Sequence, residues 1–194
     1  MCIRDRLMQY SEEGKMMAIL GLDSKTIDEA CSQINESHRS AYVASANYNS
    51  VKQTVIAGNI EGIEIARDFL PEIGAKRCIE LNVSIASHTT LMTDAANEFN
   101  ESLQKINFSA PRYPIIQNYT GEIETDISTI KQNLFNQLTK PVLWTKTMDK
   151  ISQSASCLIE VGPKNILCGL SKGYDLSSIL YIADQNFKDK VQNI

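Results

Sequence analysis

KMMAILGLDSKTIDEACSQI, residues 15–34, carries two hydrophobic periods back to back. Lys15 to Gly21 is a short apolar run bounded by Gly14 and Gly21, the pattern of a buried strand. Asp23 and Ser24 can cap a helix, and Ile27, Ala30, Cys31 and Ile34 then recur at i, i+3, i+4 and i+7 on one face. Working outward, Ala41 to Asn47 reads as a second strand, and the turn-rich Asn49-Ser50-Val51-Lys52 leads to a third over Gln53 to Ala57. Asn59 offers the cap of a helix with Ile63, Ala66, Leu70 and Ile73 on one face, which Pro71 should shorten or bend. A fourth strand over Lys76 to Asn82 completes the order β-α-β-β-α-β, a split βαβ or ferredoxin-like arrangement over residues 14–82.

Beyond this unit the pattern changes. Met92, Ala95, Ala96, Phe99, Leu103 and Ile106 form a long helical stripe that ends before Pro111 and Pro114. Ile115-Ile116 reads as a short strand ending near Asn118-Tyr119-Thr120-Gly121. Asp126 caps a helix bearing Ile127, Ile130, Leu134 and Leu138, Pro141 stops it, and Trp144, Met148 and Ile151 begin another. Cys157 to Val161 is a strand entering Gly162-Pro163 and a helix, and Ile179 to Ile182 is the last strand. Strands alternating with helices predict a parallel sheet, here with few strands and bare edges.

Composition narrows the function classes. Net charge −4 and a pI near 5.3 argue against a nucleic-acid binder, which normally shows a basic face. No stretch approaches the roughly 18 uninterrupted apolar residues of a membrane span, and Met1 to Arg6 lacks the apolar core of a signal peptide. The expected setting is cytoplasmic. Cys2, Cys31, Cys78, Cys157 and Cys168 are an odd set without C-x-x-C spacing, which predicts reduced, mostly buried thiols. With two histidines and no thiol pair, neither a metal nor another cofactor is expected.

The chemistry centres on NVSIASHTTLM, residues 82–92, which holds one of those two histidines at the expected exit of a strand. His88 there is either a core or capping histidine or a general base. A nucleophile for such a base is usually presented on a G-x-S-x-G strand-to-helix elbow, and the expectation is that this chain holds none. Ser87 is adjacent, but on an extended backbone its side chain would diverge from the imidazole. EVGPKN, residues 160–165, reads as a strand-to-helix corner or a phosphate cradle. His38 in NESHRS reads as a structural histidine at a helix end.

Several segments, in one order, resemble the malonyl-CoA:acyl carrier protein transacylases. NVSIASHTTLM resembles that family's histidine segment. ILGLD (19–23), NYNSVKQTVIAG (47–58) and GAKRCIELNVS (74–84) resemble its ferredoxin-like subdomain, and NQLTKPVLWTKTM (136–148) and EVGPKNILCGL (160–170) two further signatures. The resemblance implies an α/β fold: part of an α/β-hydrolase-like parallel-sheet domain, residues 1–13 and 83–194, with an inserted ferredoxin-like (βαββαβ) subdomain, residues 14–82. It implies malonyl transfer from coenzyme A to the phosphopantetheine thiol of acyl carrier protein in fatty-acid biosynthesis, through an acyl-serine. His88 would be the base, and the main-chain carbonyl of Gln137 its orienter, in place of a triad aspartate. Arg4, in R-x-x-x-M-Q, would hold the malonyl carboxylate in a bidentate fork, and Asn49 would line the substrate mouth. The family's upstream segment, with its G-H-S-x-G elbow, has no counterpart here, so the chain taken alone is expected to be inactive. The partners implied are malonyl-CoA and acyl carrier protein, with no nucleic acid or membrane, and a monomer when complete. Two other readings stay open: an acyltransferase domain of a polyketide synthase, suggested by Ala86-Ser87-His88, and a non-catalytic ferredoxin-like binding module.

Overall fold

The computed structural model describes residues 3–8 and 11–192, and shows an α/β protein in two compact units, the first running to Trp144 and the second from Thr145. The first unit opens with a short helix α1 (Ile3–Met8), then β1 (Lys15–Leu20), α2 (Ser24–Ser37), β2 (Val43–Ser50), β3 (Gln53–Gly58), α3 (Ile60–Glu72) and β4 (Arg77–Glu80). The four strands form one antiparallel sheet in the order β2-β3-β1-β4.

The apolar run of β1 is explained by burial on both of its faces. Met17 and Ile19 pack with Ile27, Ala30, Cys31 and Ile34 of α2 and with Ile63, Ala66 and Leu70 of α3. Met16 and Ala18 alternate onto the other face, against Ala46, Val55, Ala57 and Ala86. The sheet is therefore sandwiched, and Ala86, two residues before His88, is part of what covers its second face.

The caps act as their residue types predict. The Asp23 carboxylate accepts from Thr26 N at 3.0 Å, and Asn59 Oδ1 accepts from Gly62 N at 2.9 Å. α3 runs one residue past Pro71, and Gly74, with φ +107°, closes its end. There Ala75 N donates to Leu70 O and Gly74 N to Pro71 O, satisfying carbonyls that a helix end leaves open.

β2 starts and ends later than the sequence suggests. Asn59 Oδ1 takes Tyr42 N, and Asn35 brackets Val43 through both its N–H and its C=O, so Val43 is the first ladder residue. At the far end Asn49 is the extra residue of a bulge between Tyr48 and Ser50, leaving only Val51-Lys52 as the turn. The outer edge of β2 is covered by the chain after Pro141: Tyr48 N donates to Val142 O, and Val142 N to Ala46 O.

The first unit continues with a 3₁₀ turn (Thr90–Met92), α4 (Thr93–Lys105), β5 (Ile115–Ile116), β6 (Ile123–Glu124) and α5 (Ile127–Thr139). β5 does not join a parallel sheet as expected; it pairs antiparallel with β6. The six residues between them make a hairpin, whereas a parallel crossover needs a dozen or so. Met8, Met92, Ala95, Ala96 and Leu138 form a third buried cluster joining α1, α4 and α5.

In the second unit, α6 (Trp144–Ser152, its first residue closing the first unit) is followed by β7 (Cys157–Glu160), α7 (Ile166–Leu170), β8 (Ser178–Tyr181) and α8 (Phe187–Gln192). β7 and β8 are a parallel pair, as the alternation predicts. Ile159 on β7 and Ile182 just past β8 are exposed. Cys31, Cys78, Cys157 and Cys168 are free thiols, Cys78 and Cys157 being half-buried rather than core; Cys2 lies outside the described residues. No described helix is long and apolar enough to cross a membrane.

Candidate active site

α5 ends at Thr139 because Lys140 turns extended and Pro141 has no N–H to continue the ladder. Such an end leaves its last carbonyls without helical partners. Two of them are met by one residue from far away in the sequence. His88 N donates to Leu138 O at 3.1 Å, and His88 Nδ1 lies 2.6 Å from Gln137 O.

This arrangement fixes the imidazole's chemistry. A carbonyl only accepts, so Nδ1 carries the proton and Nε2 keeps its lone pair as the basic nitrogen. Burial pushes the His88 pKa below its ordinary value, and the nearby Arg4 cation adds to that. The Gln137 and Lys140 main-chain groups pull the other way without cancelling it. The ring is thus neutral near pH 7 and faces a helix C-terminus, whose partial negative charge favours the cation formed on proton uptake.

His88 does not leave a strand in extended conformation, as its sequence position suggests. β4 stops at Glu80, and the following segment is held irregularly, by Gly14 N to Ser84 O and by a bridge between Glu13 and Ile85. His88 itself has φ +65°, and among the described residues every other positive φ belongs to glycine. A non-glycine residue pays about 1–2 kcal/mol for this left-handed backbone, so tertiary contacts must hold it.

A cavity of about 220 Å³ opens at this point, lined by Arg4, Met8, Ile85, Ser87, His88, Gln137 and Leu138. Arg4 and Met8, one turn apart on α1, reach the same cavity. One cation, one neutral imidazole and an apolar wall suit a small anionic ligand. Arg4, His88 and Gln137 are therefore brought together. Asn49 is not among the lining residues; it is the bulge of β2. Gln9, the last residue of R-x-x-x-M-Q, lies outside the described residues. Met8 and Leu138 were not among the expected site residues: Met8 entered only through R-x-x-x-M-Q, and Leu138 only as one position of an apolar helix face.

Two other motifs are resolved within the second unit. The spacing G-x-S-x-G does occur once, at Gly169-Leu170-Ser171-Lys172-Gly173, against the expectation that the pattern is missing. It is no elbow: Ser171 ends α7 instead of opening a helix, is fully buried, and its Oγ donates to Leu167 O. The corner after β7 is no phosphate cradle either. Glu160 accepts from Cys168 N at 2.8 Å; burial works to raise its carboxyl, but the amides of Cys168, Leu167 and Ile166 bring it below its usual value. The chain's own carboxylate occupies the position an anion would take.

Comparison with known proteins adds a second line of evidence. Malonyl CoA-acyl carrier protein transacylase of Salmonella typhimurium is 43% identical over 160 residues, 82% of this chain and 51% of that protein. Among solved structures, FabD from Acinetobacter baumannii matches with a TM-score of 0.91 at 34% identity, over 98% of this chain and 62% of its own. A malonyl-transacylase solved with its type II PKS acyl-carrier protein matches at 0.91 and 36% identity, over 99% and 63%. The chain spans about half the length of the curated relatives it matches. No family model matches it.

Proposed function

We propose that this chain, homologous over most of its length to the malonyl CoA-acyl carrier protein transacylases, contributes the base and the carboxylate clamp of a malonyl-transfer site. The observation that carries the proposal is the 2.6 Å contact between His88 Nδ1 and Gln137 O, which leaves Nε2 as a neutral proton acceptor beside Arg4.

On this reading His88 takes the proton of a serine hydroxyl supplied from outside these 194 residues. The serine oxygen attacks the malonyl thioester carbon, the C–S bond breaks, and the imidazolium returns the proton to the coenzyme A sulfur. In the second half-reaction His88 deprotonates the phosphopantetheine thiol of a carrier protein. The thiol attacks the acyl-serine, and the proton goes back to the serine oxygen. Arg4 holds the free carboxylate and disfavours acyl groups that lack one. Gln137 acts through its carbonyl alone. The relative solved with an acyl-carrier protein supports the partner.

We read residues 14–82 as a ferredoxin-like subdomain, on the strand order β2-β3-β1-β4, and the remainder as part of a hydrolase-like α/β domain. The complete enzyme would act as a cytoplasmic monomer. Asn49 would contribute to the substrate mouth from the β2 bulge.

The test joins the upstream part of the Salmonella typhimurium relative to this chain and follows malonyl transfer from coenzyme A to acyl carrier protein. His88→Ala in that chimera should lose roughly 10²–10⁴-fold in kcat. Transfer that survives the substitution unchanged, or transfer by the 194-residue chain alone, overturns the reading. A second reading, supported by the polyketide carrier in the solved relative, assigns the chain to polyketide rather than fatty-acid synthesis. Comparing the two classes of carrier protein as acceptors separates them.

A further inference from the structure

We infer that Thr89 is the positioning residue for the His88 imidazole: its buried hydroxyl clamps the turn that keeps His88 in a left-handed backbone conformation. The inference gives the proposed base its support and rests on that reading for its functional meaning, but its observations are independent.

His88 is the only non-glycine residue with positive φ among those described. Two of its restraints come from α5, through Leu138 O and Gln137 O. The third is local. Thr89 Oγ1 donates to Ala86 O at 2.7 Å, closing a loop around Ser87 and His88. Ala86 is completely buried in the cluster that covers the second face of the sheet, so this carbonyl is a fixed anchor.

The direction of that bond is informative. Thr89 stands at the N-cap of the 3₁₀ turn Thr90–Met92, where a threonine ordinarily accepts a bond from an amide of the following turn. It makes no such bond here; its hydroxyl points back and donates to the loop instead. Thr89 is 2% exposed, so water cannot stand in for the lost donor. With the donor removed, the His88 backbone relaxes toward negative φ, which turns the ring away from Gln137 O and removes the reason for the proton to sit on Nδ1.

The test reads the imidazole directly, in the intact chain labelled with ¹⁵N-histidine. The sequence holds only His38 and His88, so His38 serves as internal control. In the unsubstituted chain and in Thr89→Ser, the His88 nitrogen shifts should report the Nδ1–H tautomer and a titration midpoint below the ordinary value. Thr89→Val keeps the shape and loses the donor; it should show a mixture of tautomers and a midpoint raised toward about 6.5, with His38 unmoved. A folded Thr89→Val that retains the original tautomer and midpoint overturns the inference, and so does a Thr89→Ser that loses them. Should the valine variant not fold, the unsubstituted chain labelled uniformly with ¹³C and ¹⁵N still decides: a slowly exchanging Thr89 hydroxyl proton coupled to the Ala86 carbonyl carbon supports the clamp, and exchange at the rate of free threonine overturns it. Loss of the proposed base role in the transfer assay would leave these signals unchanged, so the two failures are distinguishable.

Discussion

The Nδ1 of His88 lies 2.6 Å from the main-chain oxygen of Gln137, 49 residues later in the chain. The partner is a backbone group at the open end of a helix, so it orients the ring without a second ionisable side chain and without a charge that would raise the histidine's basicity strongly.

Because the Gln137 side chain is not the partner, Gln137→Ala should leave transfer in the chimera within about twofold of the unsubstituted form. Gln137→Pro keeps the carbonyl but strips an amide from the last turn of α5 and displaces it; activity should fall together with His88→Ala. Parallel kcat measurements on the three variants check this. A large loss in Gln137→Ala with unchanged folding would mean that the amide side chain matters.

The His88 pKa is lowered in the folded chain, chiefly by burial, so the unfolded chain binds its proton more readily. The native state therefore has the full contribution of this group above the unfolded value, near 6.5, and loses it as pH falls through the lower folded value. Urea midpoints between pH 7.5 and 5 should decline, and His88→Gln should flatten that decline. Transfer should hold its plateau to lower pH than an unperturbed imidazole allows. A midpoint independent of pH in the parent chain contradicts the shift.

Arg4 shares the cavity with His88. Arg4→Lys keeps the charge but loses the planar fork, so KM for malonyl-CoA should rise roughly tenfold, and Arg4→Ala should do worse while narrowing the preference for malonyl over acetyl. Competition between the two thioesters measures it. An unchanged ratio in Arg4→Ala removes the clamp from the proposal.

Asn59 is a stability centre. Its Oδ1 accepts from Gly62 N and Tyr42 N, and its Nδ2 donates to Ser40 O at 2.7 Å, tying α3 to the start of β2. Asn59→Ala should cost roughly 2–3 kcal/mol, and Asn59→Asp, which keeps the acceptor alone, about 1 kcal/mol. Equilibrium urea unfolding distinguishes them.

Much of the first unit was legible in advance. The helix periods over Ile27 to Ile34 and Ile63 to Leu70 and the caps Asp23, Asn59 and Asp126 appear where local pattern places them. The misses have physical causes. The start of β2 is set by the side chains of Asn35 and Asn59, and its outer edge is covered by Val142, long-range pairings that leave no local period. The hairpin β5/β6 looked like one strand of a parallel sheet because two residues are too few to carry a direction. The G-x-S-x-G spacing around Ser171 was not expected at all, and only its burial at the end of α7 shows that it is no elbow.

The sequence by itself determined the β-α-β-β-α-β order, the burial of β1 and the place of His88 between the fourth strand and the next helix, because periodicity and capping act over a few residues. Only the tertiary structure decided that His88 adopts φ +65°, that its proton sits on Nδ1 and that Arg4 shares its cavity. The first two outcomes depend on main-chain carbonyls at Ala86, Gln137 and Leu138. Every residue carries such a carbonyl, so only its position in the folded chain can make it specific.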